Sequence, residues 1–306
     1  MNENKKIVVM IPCLNEQETI QSVITSFKKN LPNAVIHVFD NNSSDRTKEI
    51  VFKNNVHLHN IKYIGKGNVV RRMFADLSGD MFIMIDGDDT YDITRIKDMI
   101  SYFEFNNLDM LVAKRISVDE EAYRFGHVVG NKIFSRLVKF IFGNVIDDLF
   151  SGFRIFSKRF VKSFPGNSRG FEIETELTIH ALEQRLPIDE INCKYKSRPK
   201  GSHSKLNTFS DGFKILKVLL ILIKDEKPLF FFSFLSIFFI FLSLLFGIPV
   251  TVEFFNTGLV DKLPSAILAA INMVIAFLCF FSGLILDVIK KHRHEQKRLN
   301  YLSLTK

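Results

Sequence analysis

The chain has no tryptophan and only three cysteines among its 306 residues. Cys13, Cys193 and Cys279 are odd in number and lack metal-type spacing, which excludes a disulfide framework and fits a reduced compartment. Two long stretches also lack charge. Leu229–Val252 and Leu263–Leu286 contain no Asp, Glu, Lys or Arg. At about 1.5 Å rise per residue, either run is long enough to cross roughly 30 Å of hydrocarbon. Both are apolar on every face, which argues against core helices of a soluble domain. Gly247 and Pro249 fall near the end of the first run, where a kink or exit is tolerated, and Cys279 within the second reads as packing. The link Glu253–Lys262 is short, so the two spans are expected to form an antiparallel hairpin. No signal peptide is expected ahead of Ile7, because Met1–Lys6 is polar and only a short strand follows.

What is present orients that hairpin. Lys194, Lys196, Arg198, Lys200, Lys205, Lys214, Lys217, Lys224 and Lys227 precede the first span, and Lys290, Lys291, Arg293, Lys297 and Arg298 follow the second. The link offers only Lys262 against Glu253 and Asp261. The positive-inside rule then places both termini and the N-terminal domain on the cytoplasmic side of a bacterial inner or plasma membrane. The formal net charge of +8 points to a membrane surface and an anionic substrate ahead of nucleic acid. A two-span hairpin also invites helix-mediated self-assembly.

Up to about Cys193, strands alternate with helices. Strands are expected at Ile7–Ile11, Ala34–Phe39, Val56–Leu58, Met81–Ile85, Met110–Ala113 and Ile188–Tyr195. Helices are expected from near Asn15 (with Glu18 as a weak capping box), and over Arg46–Lys53, Gly67–Leu77, Ile93–Phe103, Val128–Phe142 and Phe171–Gln184. That order predicts an α/β fold, a mostly parallel, Rossmann-like doubly wound sheet. Ile116–Gly126 reads as a loop beside the site. The expected organisation is a catalytic domain over 1–206, an amphipathic segment over 207–228 and two spans at about 229–252 and 263–289. A basic tail over 290–306 completes it. The amphipathic segment is read either as lying on the membrane or as an ordinary surface helix.

Asp86-Gly87-Asp88-Asp89 follows the apolar strand Met81–Ile85, at the strand end where open α/β sheets bind ligands. Two aspartates one residue apart can hold a hard divalent cation, Mg²⁺ or Mn²⁺, that also grips a diphosphate. For an isolated pair of this kind a solvated acidic turn is the better reading, and it is the neighbouring motifs that shift the balance. Other motifs end neighbouring strands. Pro12, Leu14 and Glu16 lie after the first strand, with Glu16 a candidate acceptor for a ribose or base. Phe39, Asp40 and Asn41 begin an Asx-rich turn after the second, read as nucleotide contact, as a helix cap, or both. Gly65-Lys66-Gly67 opens a helix and reads either as a phosphate loop with Lys66 as its cation or as a plain junction. Asp147-Asp148 precedes Ser151-Gly152-Phe153-Arg154; Asp148 would orient an acceptor or act as base, or else Asp and Arg merely brace the loop. Arg198-Pro199-Lys200-Gly201-Ser202-His203-Ser204-Lys205 is a cationic loop suited to phosphate, or a plain positive flank.

Taken in order, I-P-x-x-N-E, D-N-N-S-S-D-x-T, G-K-G, D-G-D, S-G-F-R and R-P-x-G-x-x-S-K-L resemble the family 2 glycosyltransferases of GT-A fold. Within them the chain is most similar to the polyprenyl-phosphate group, that of dolichyl-phosphate mannose synthase and its bacterial relatives. The resemblance covers roughly residues 6–206, and relatives with a C-terminal membrane hairpin extend it. It implies donor-binding roles for Pro12, Leu14, Glu16, Phe39 and Asn41, and metal ligation by Asp86 and Asp88. It implies phosphate or lipid-phosphate binding by Arg115 and, in the later cationic loop, by Arg198, Ser204 and Lys205, and it makes Asp148, Asp88 and Arg154 the catalytic candidates. Asn41 stands where a second Asp is usual and Leu14 where Tyr is common, while Thr90, a further candidate metal ligand, stands where a metal-binding Gln is frequent. The chain lacks the Q-x-x-R-W element and additional spans of processive members, so single transfer is expected.

The expected reaction is inverting transfer of one sugar from a UDP- or GDP-linked donor to undecaprenyl or dolichyl phosphate. Three other readings remain open at this point. One is a glycosyltransferase acting on the hydroxyl of a lipid-linked oligosaccharide or diacylglycerol. The second is a nucleotidyltransferase, and the third a non-catalytic membrane scaffold.

Overall fold

The computed structural model describes residues 5–117, 143, 146–166, 172–197, 220, 221 and 223–304. The expected helix Val128–Phe142 and the cationic loop Arg198–Lys205 lie outside the described residues, as does most of Ile116–Gly126 and of 207–228. The chain divides into two compact units, Met1–Thr208 with Lys297–Lys306, and Phe209–Gln296.

The first unit is built on a seven-stranded sheet. Its strands are β1 (Ile7–Cys13), β2 (Val35–Asp40), β3 (His57–Asn60), β4 (Met81–Met84), β5 (Met110–Ser117), β6 (Arg154–Ser157) and β7 (Ile188–Tyr195), in the order β3-β2-β1-β4-β6-β5-β7. β1 pairs in parallel with β2 and β4, β2 with β3, and β5 with β7. β6 runs antiparallel between β4 and β5. That strand is absent from the sequence reading. Four residues behind a Ser-Gly turn carry too little alternation to announce a strand, and only the flanking strands reveal it.

The helices are α1 (Ile20–Asn30), α2 (Thr47–Lys53), α3 (Lys66–Asp76), α4 (Ile96–Phe105), α5 (Lys158–Ser163) and α6 (Ile173–Glu183). In α1, Ile20, Val23, Ile24 and Phe27 recur at helical spacing and are buried. They pack on Val9, Ile11, Val38 and Ile83 of the central strands within one hydrophobic core. α1 starts five residues later than the Asn15 boundary expected from sequence. Asn15 adopts φ 52° and its side-chain oxygen accepts from the backbone N–H of Ser44 at 2.8 Å, so it ties two loops together instead of capping a helix. The chain passes from β1 to β2 and β3 on one side, then returns to β4 on the other. The carboxyl ends of β1 and β4 therefore flank a topological switch point.

The second unit contains α7 (Pro228–Thr257) and most of α8 (Leu263–Ser303). Both helices are long and apolar enough to cross a membrane, with mean hydropathy of 2.7 and 2.4 in their most apolar windows. α7 continues through Pro249 to a left-handed Gly258 at φ 69°. The two helices touch through small residues. Ser236 donates to the carbonyl of Ala276 and Ser243 to that of Ala269, both at 2.8 Å, while Gly283 lies against Phe232. Their remaining faces expose Phe234, Phe241, Leu278 and Ile285, which suits a lipid surround. α8 is helical well past the expected span end at 289, and residues from Lys297 onward belong to the first unit.

Candidate active site

The expected motifs converge at the carboxyl ends of the central strands. Ile85 donates its N–H to Met10 O at 3.1 Å and extends the parallel β1–β4 pairing to the edge of the acidic turn. Thr19 then joins this turn to the loop after β1, its hydroxyl donating to Gly87 O at 2.6 Å and lying 3.4 Å from a Glu16 carboxylate oxygen. A side chain on Gly87 would strike the Cys13 sulfur at 2.7 Å, so the close approach requires glycine. Pro12, Leu14 and Glu16 thus line the same strand end as Asp86 and Asp88.

Asp88 is buried, and its Oδ1 accepts from the Thr90 hydroxyl at 2.7 Å and from the Thr90 N–H at 3.3 Å. Thr90 therefore orients Asp88. Asp86 has one oxygen 2.6 Å from Lys66 Nζ. Its other oxygen sits over Gly152, where an added Cβ would fall only 2.1 Å away. The acidic turn and the S-G-F-R element are thus fitted into each other, although 66 positions separate Asp86 from Gly152 in the chain.

Lys66 begins α3 and is held from two sides, by Asp86 and by Glu174 of α6. Burial alone would lower its pKa, but the two carboxylates outweigh that and raise it, so Lys66 stays charged. Glu174 is buried, its pKa raised by burial and pulled back in part by Lys66. Its Oε2 has no hydrogen-bond partner among the described residues. Glu174 went unnoticed in the sequence, where it sits in the acidic helix start Glu172-Ile173-Glu174-Thr175-Glu176. Tyr91 was missed as well. Its hydroxyl accepts from Gly152 N–H at 2.9 Å and lies 3.3 Å from Ser151 Oγ, so it shapes the loop that makes room for Asp86.

Asp148 faces Arg115 on β5. Its Oδ2 accepts from Arg115 Nε at 2.8 Å and from the Arg115 backbone N–H at 3.0 Å, and its Oδ1 accepts from Nη2 at 2.8 Å. Burial pushes the Asp148 pKa up, yet these bonds and the guanidinium charge outweigh it and hold the carboxyl below its ordinary value. Asp147 pairs instead with Lys114.

Several residues read as substrate contacts take other positions. Arg154 is fully buried beneath the loop. Its guanidinium donates to Ser151 O at 2.9 Å, Leu149 O at 2.8 Å and Thr178 Oγ1 at 2.8 Å. Burial lowers its pKa to about 10, with Glu174 and Asp148 opposing. The expected catalytic role for Arg154 is therefore replaced by a positioning one, because the β6 register turns this residue into the core. Phe39 is also buried, stacked on His59 with ring centroids 4.2 Å apart. Asn41 donates to Tyr63 O at 2.8 Å and accepts from Gly65 N–H at 2.7 Å, pinning the loop ahead of Lys66. An aspartate there could accept but not donate, which gives this chain a structural reason to carry Asn. Asp40 is buried, its Oδ2 accepting from Ser43 N–H at 3.0 Å and its Oδ1 without a hydrogen-bond partner among the described residues.

Asp86 and Asp88 offer hard oxygen donors at a strand end, and Asp86 already attracts a cationic ammonium in a cradle that a Cβ at position 152 would fill. This donor set fits Mg²⁺ or Mn²⁺. A mixed sheet with this acidic turn at its switch point defines a GT-A fold. Residues 8–164 match the model of glycosyl transferase family 2, and the chain belongs to that family. Glycosyltransferase AglJ of Haloferax volcanii is 28% identical over 304 residues, covering 97% of this chain and 98% of that one. A dolichyl-phosphate hexose transferase of the same organism is 23% identical over 221 residues, 72% of this chain and 95% of its own. Among solved structures, glucosyl-3-phosphoglycerate synthase of Mycobacterium tuberculosis, in complex with Mn²⁺, UDP and glucosyl-3-phosphoglycerate, superposes with a TM-score of 0.56. It is 21% identical, over 72% of this chain and 80% of that one, a likeness of fold.

Proposed function

We propose that the protein transfers a single sugar, with inversion, from a nucleotide-sugar donor to a polyprenyl phosphate at the cytoplasmic face of a membrane. The observation that carries the choice of acceptor is the engagement of Asp148. Both of its oxygens face Arg115, and its pKa is held low, so it is a poor proton acceptor. A hydroxyl acceptor needs a base. A phosphate monoester does not, because its second pKa is about 6 and its oxygen is already ionised at neutral pH. The lipid phosphate oxygen forms a bond to the anomeric carbon as the bond from that carbon to the nucleoside diphosphate breaks.

Asp86 and Asp88 would hold the divalent cation, which stabilises charge on the departing diphosphate. The Mn²⁺ and UDP of the structural neighbour, and the lipid acceptor in the name of the Haloferax transferase, support this reading. The two apolar helices would keep the site beside its lipid substrate. Arg115, and Arg198 and Lys205 beyond the described residues, would bind phosphate.

The test is incubation of purified protein in detergent with a panel of UDP- and GDP-sugars, Mg²⁺ and undecaprenyl phosphate, followed by mass spectrometry of the lipid. A hexosyl-phospholipid together with free nucleoside diphosphate is the expected result. Product only from lipid-linked oligosaccharide or diacylglycerol would overturn the acceptor. Release of pyrophosphate would indicate nucleotidyl transfer.

A further inference from the structure

Glu174 lies outside every sequence motif of the site, yet its carboxylate is buried against the site's cation. One of its oxygens pairs with Lys66 and the other, Oε2, has no hydrogen-bond partner among the described residues. A buried acceptor of this kind is retained at a cost unless it serves a second state of the site. The charges around it suggest that state. A single ammonium is shared between Asp86 and Glu174.

Lys66 and a divalent cation compete for Asp86. The ammonium lies 2.6 Å from Asp86 Oδ1, and like charges at such distances repel strongly in a partly buried setting. A dication held by Asp86 would therefore weaken the hold of Asp86 on Lys66. The unpartnered Glu174 oxygen supplies an anionic contact, already in place, that can take up the freed ammonium. We propose that Glu174 is a positioning residue that holds Lys66 in reserve, so that Lys66 covers Asp86 until a divalent cation arrives and is then retained wholly by Glu174.

This inference rests on the metal-assisted reading above, and its test separates the two. Full-length protein in detergent is titrated with Mn²⁺ alone, without nucleotide or lipid, and free Mn²⁺ is followed by electron paramagnetic resonance. Lys66→Met removes the competitor, so Mn²⁺ should bind more tightly, roughly fivefold, the worth of one partly exposed ion pair. Glu174→Gln leaves Lys66 with Asp86 as its remaining carboxylate of the pair, so Mn²⁺ should bind more weakly by a similar factor. The double variant should match Lys66→Met, because on this proposal Glu174 influences the metal through Lys66. Glu174→Asp keeps a carboxylate and should stay within about twofold of the parent, which preserves the comparison if the Gln variant fails to fold.

Unchanged or weaker binding in Lys66→Met, or additive effects in the double variant, would overturn the proposal while leaving glycosyl transfer intact. No Mn²⁺ uptake by the parent protein would overturn the metal-assisted reading and this inference together.

Discussion

Asp86 owes its position to a residue with no side chain. Its Oδ2 occupies the place that a Cβ on Gly152 would take, at 2.1 Å, and the neighbouring Gly152 N–H is held by the Tyr91 hydroxyl. Neither partner can retreat easily, because Asp86 is also gripped by Lys66 and the loop is tied to the buried Arg154. We predict that Gly152→Ala folds but loses activity by about 10²-fold, the cost of a misplacement near 1 Å. Circular dichroism and steady-state assays check it; near-normal turnover would show that the close fit is incidental. Asp148 gives a second prediction at this scale. If it orients Arg115, Asp148→Asn should lower kcat about tenfold, through one weakened charged contact, and leave the acid limb of the pH–rate profile in place. Loss of that limb would make Asp148 the base and would favour a hydroxyl acceptor.

Among the elements, those with strong local patterns were legible in the sequence. The apolar runs of β1, β2 and β4 and the helical spacing in α1 and α4 appear at or near their expected places. β6 and the start of α1 were not, because each is settled by distant partners: two flanking strands for β6, and Ser44 for Asn15. The same reason separates the legible part of the site from the rest. Asp86 and Asp88 are marked by their place after a strand. Glu174 meets Lys66 across 108 positions, and Asn41 reaches forward to Tyr63 and Gly65, pairings without a local signature. His180 of α6 is another such case. It is wedged between Phe160 and Phe164, with ring centroids at 5.5 and 5.4 Å, and burial depresses its pKa to about 3, with the Lys297 charge adding to the effect. The unfolded chain would protonate it near 6.5. Between those values the unfolded state binds a proton that the folded state does not, so stability falls as pH drops from about 6.5 toward about 3 and is unaffected above that window. We predict that His180→Phe flattens this part of the dependence of Tm on pH, measured by circular dichroism. An unchanged slope would assign the acid sensitivity to other groups.

For the whole molecule, the end of α8 bears on topology. Tyr301, near its C-terminus, donates to Asp109 at 2.5 Å and lies under the Arg159 guanidinium at 4.6 Å, while Lys297 pairs with Glu183 at 2.6 Å. All of these groups belong to the first unit. If both apolar helices span a membrane, a chain that leaves this unit, passes through them and ends bonded to the same unit returns to the side it started from. The lysine-rich flanks, against a link with only Lys262, then favour the cytoplasm for the shared side. The expectation is concrete. In intact cells, a membrane-impermeant maleimide should label an Asp261→Cys variant, whose cysteine lies in the exposed link, and should leave an Asn300→Cys variant unlabelled until the cells are opened. Cys13 and Cys193 are buried and would contribute little background; replacing Cys279 removes the remaining thiol. Labelling of both variants in intact cells would place the tail outside and break the hairpin. The reverse pattern, with Asn300→Cys labelled and Asp261→Cys protected, would keep the hairpin but turn the catalytic unit away from cytoplasmic nucleotide sugars, and the proposed reaction would lose its donor.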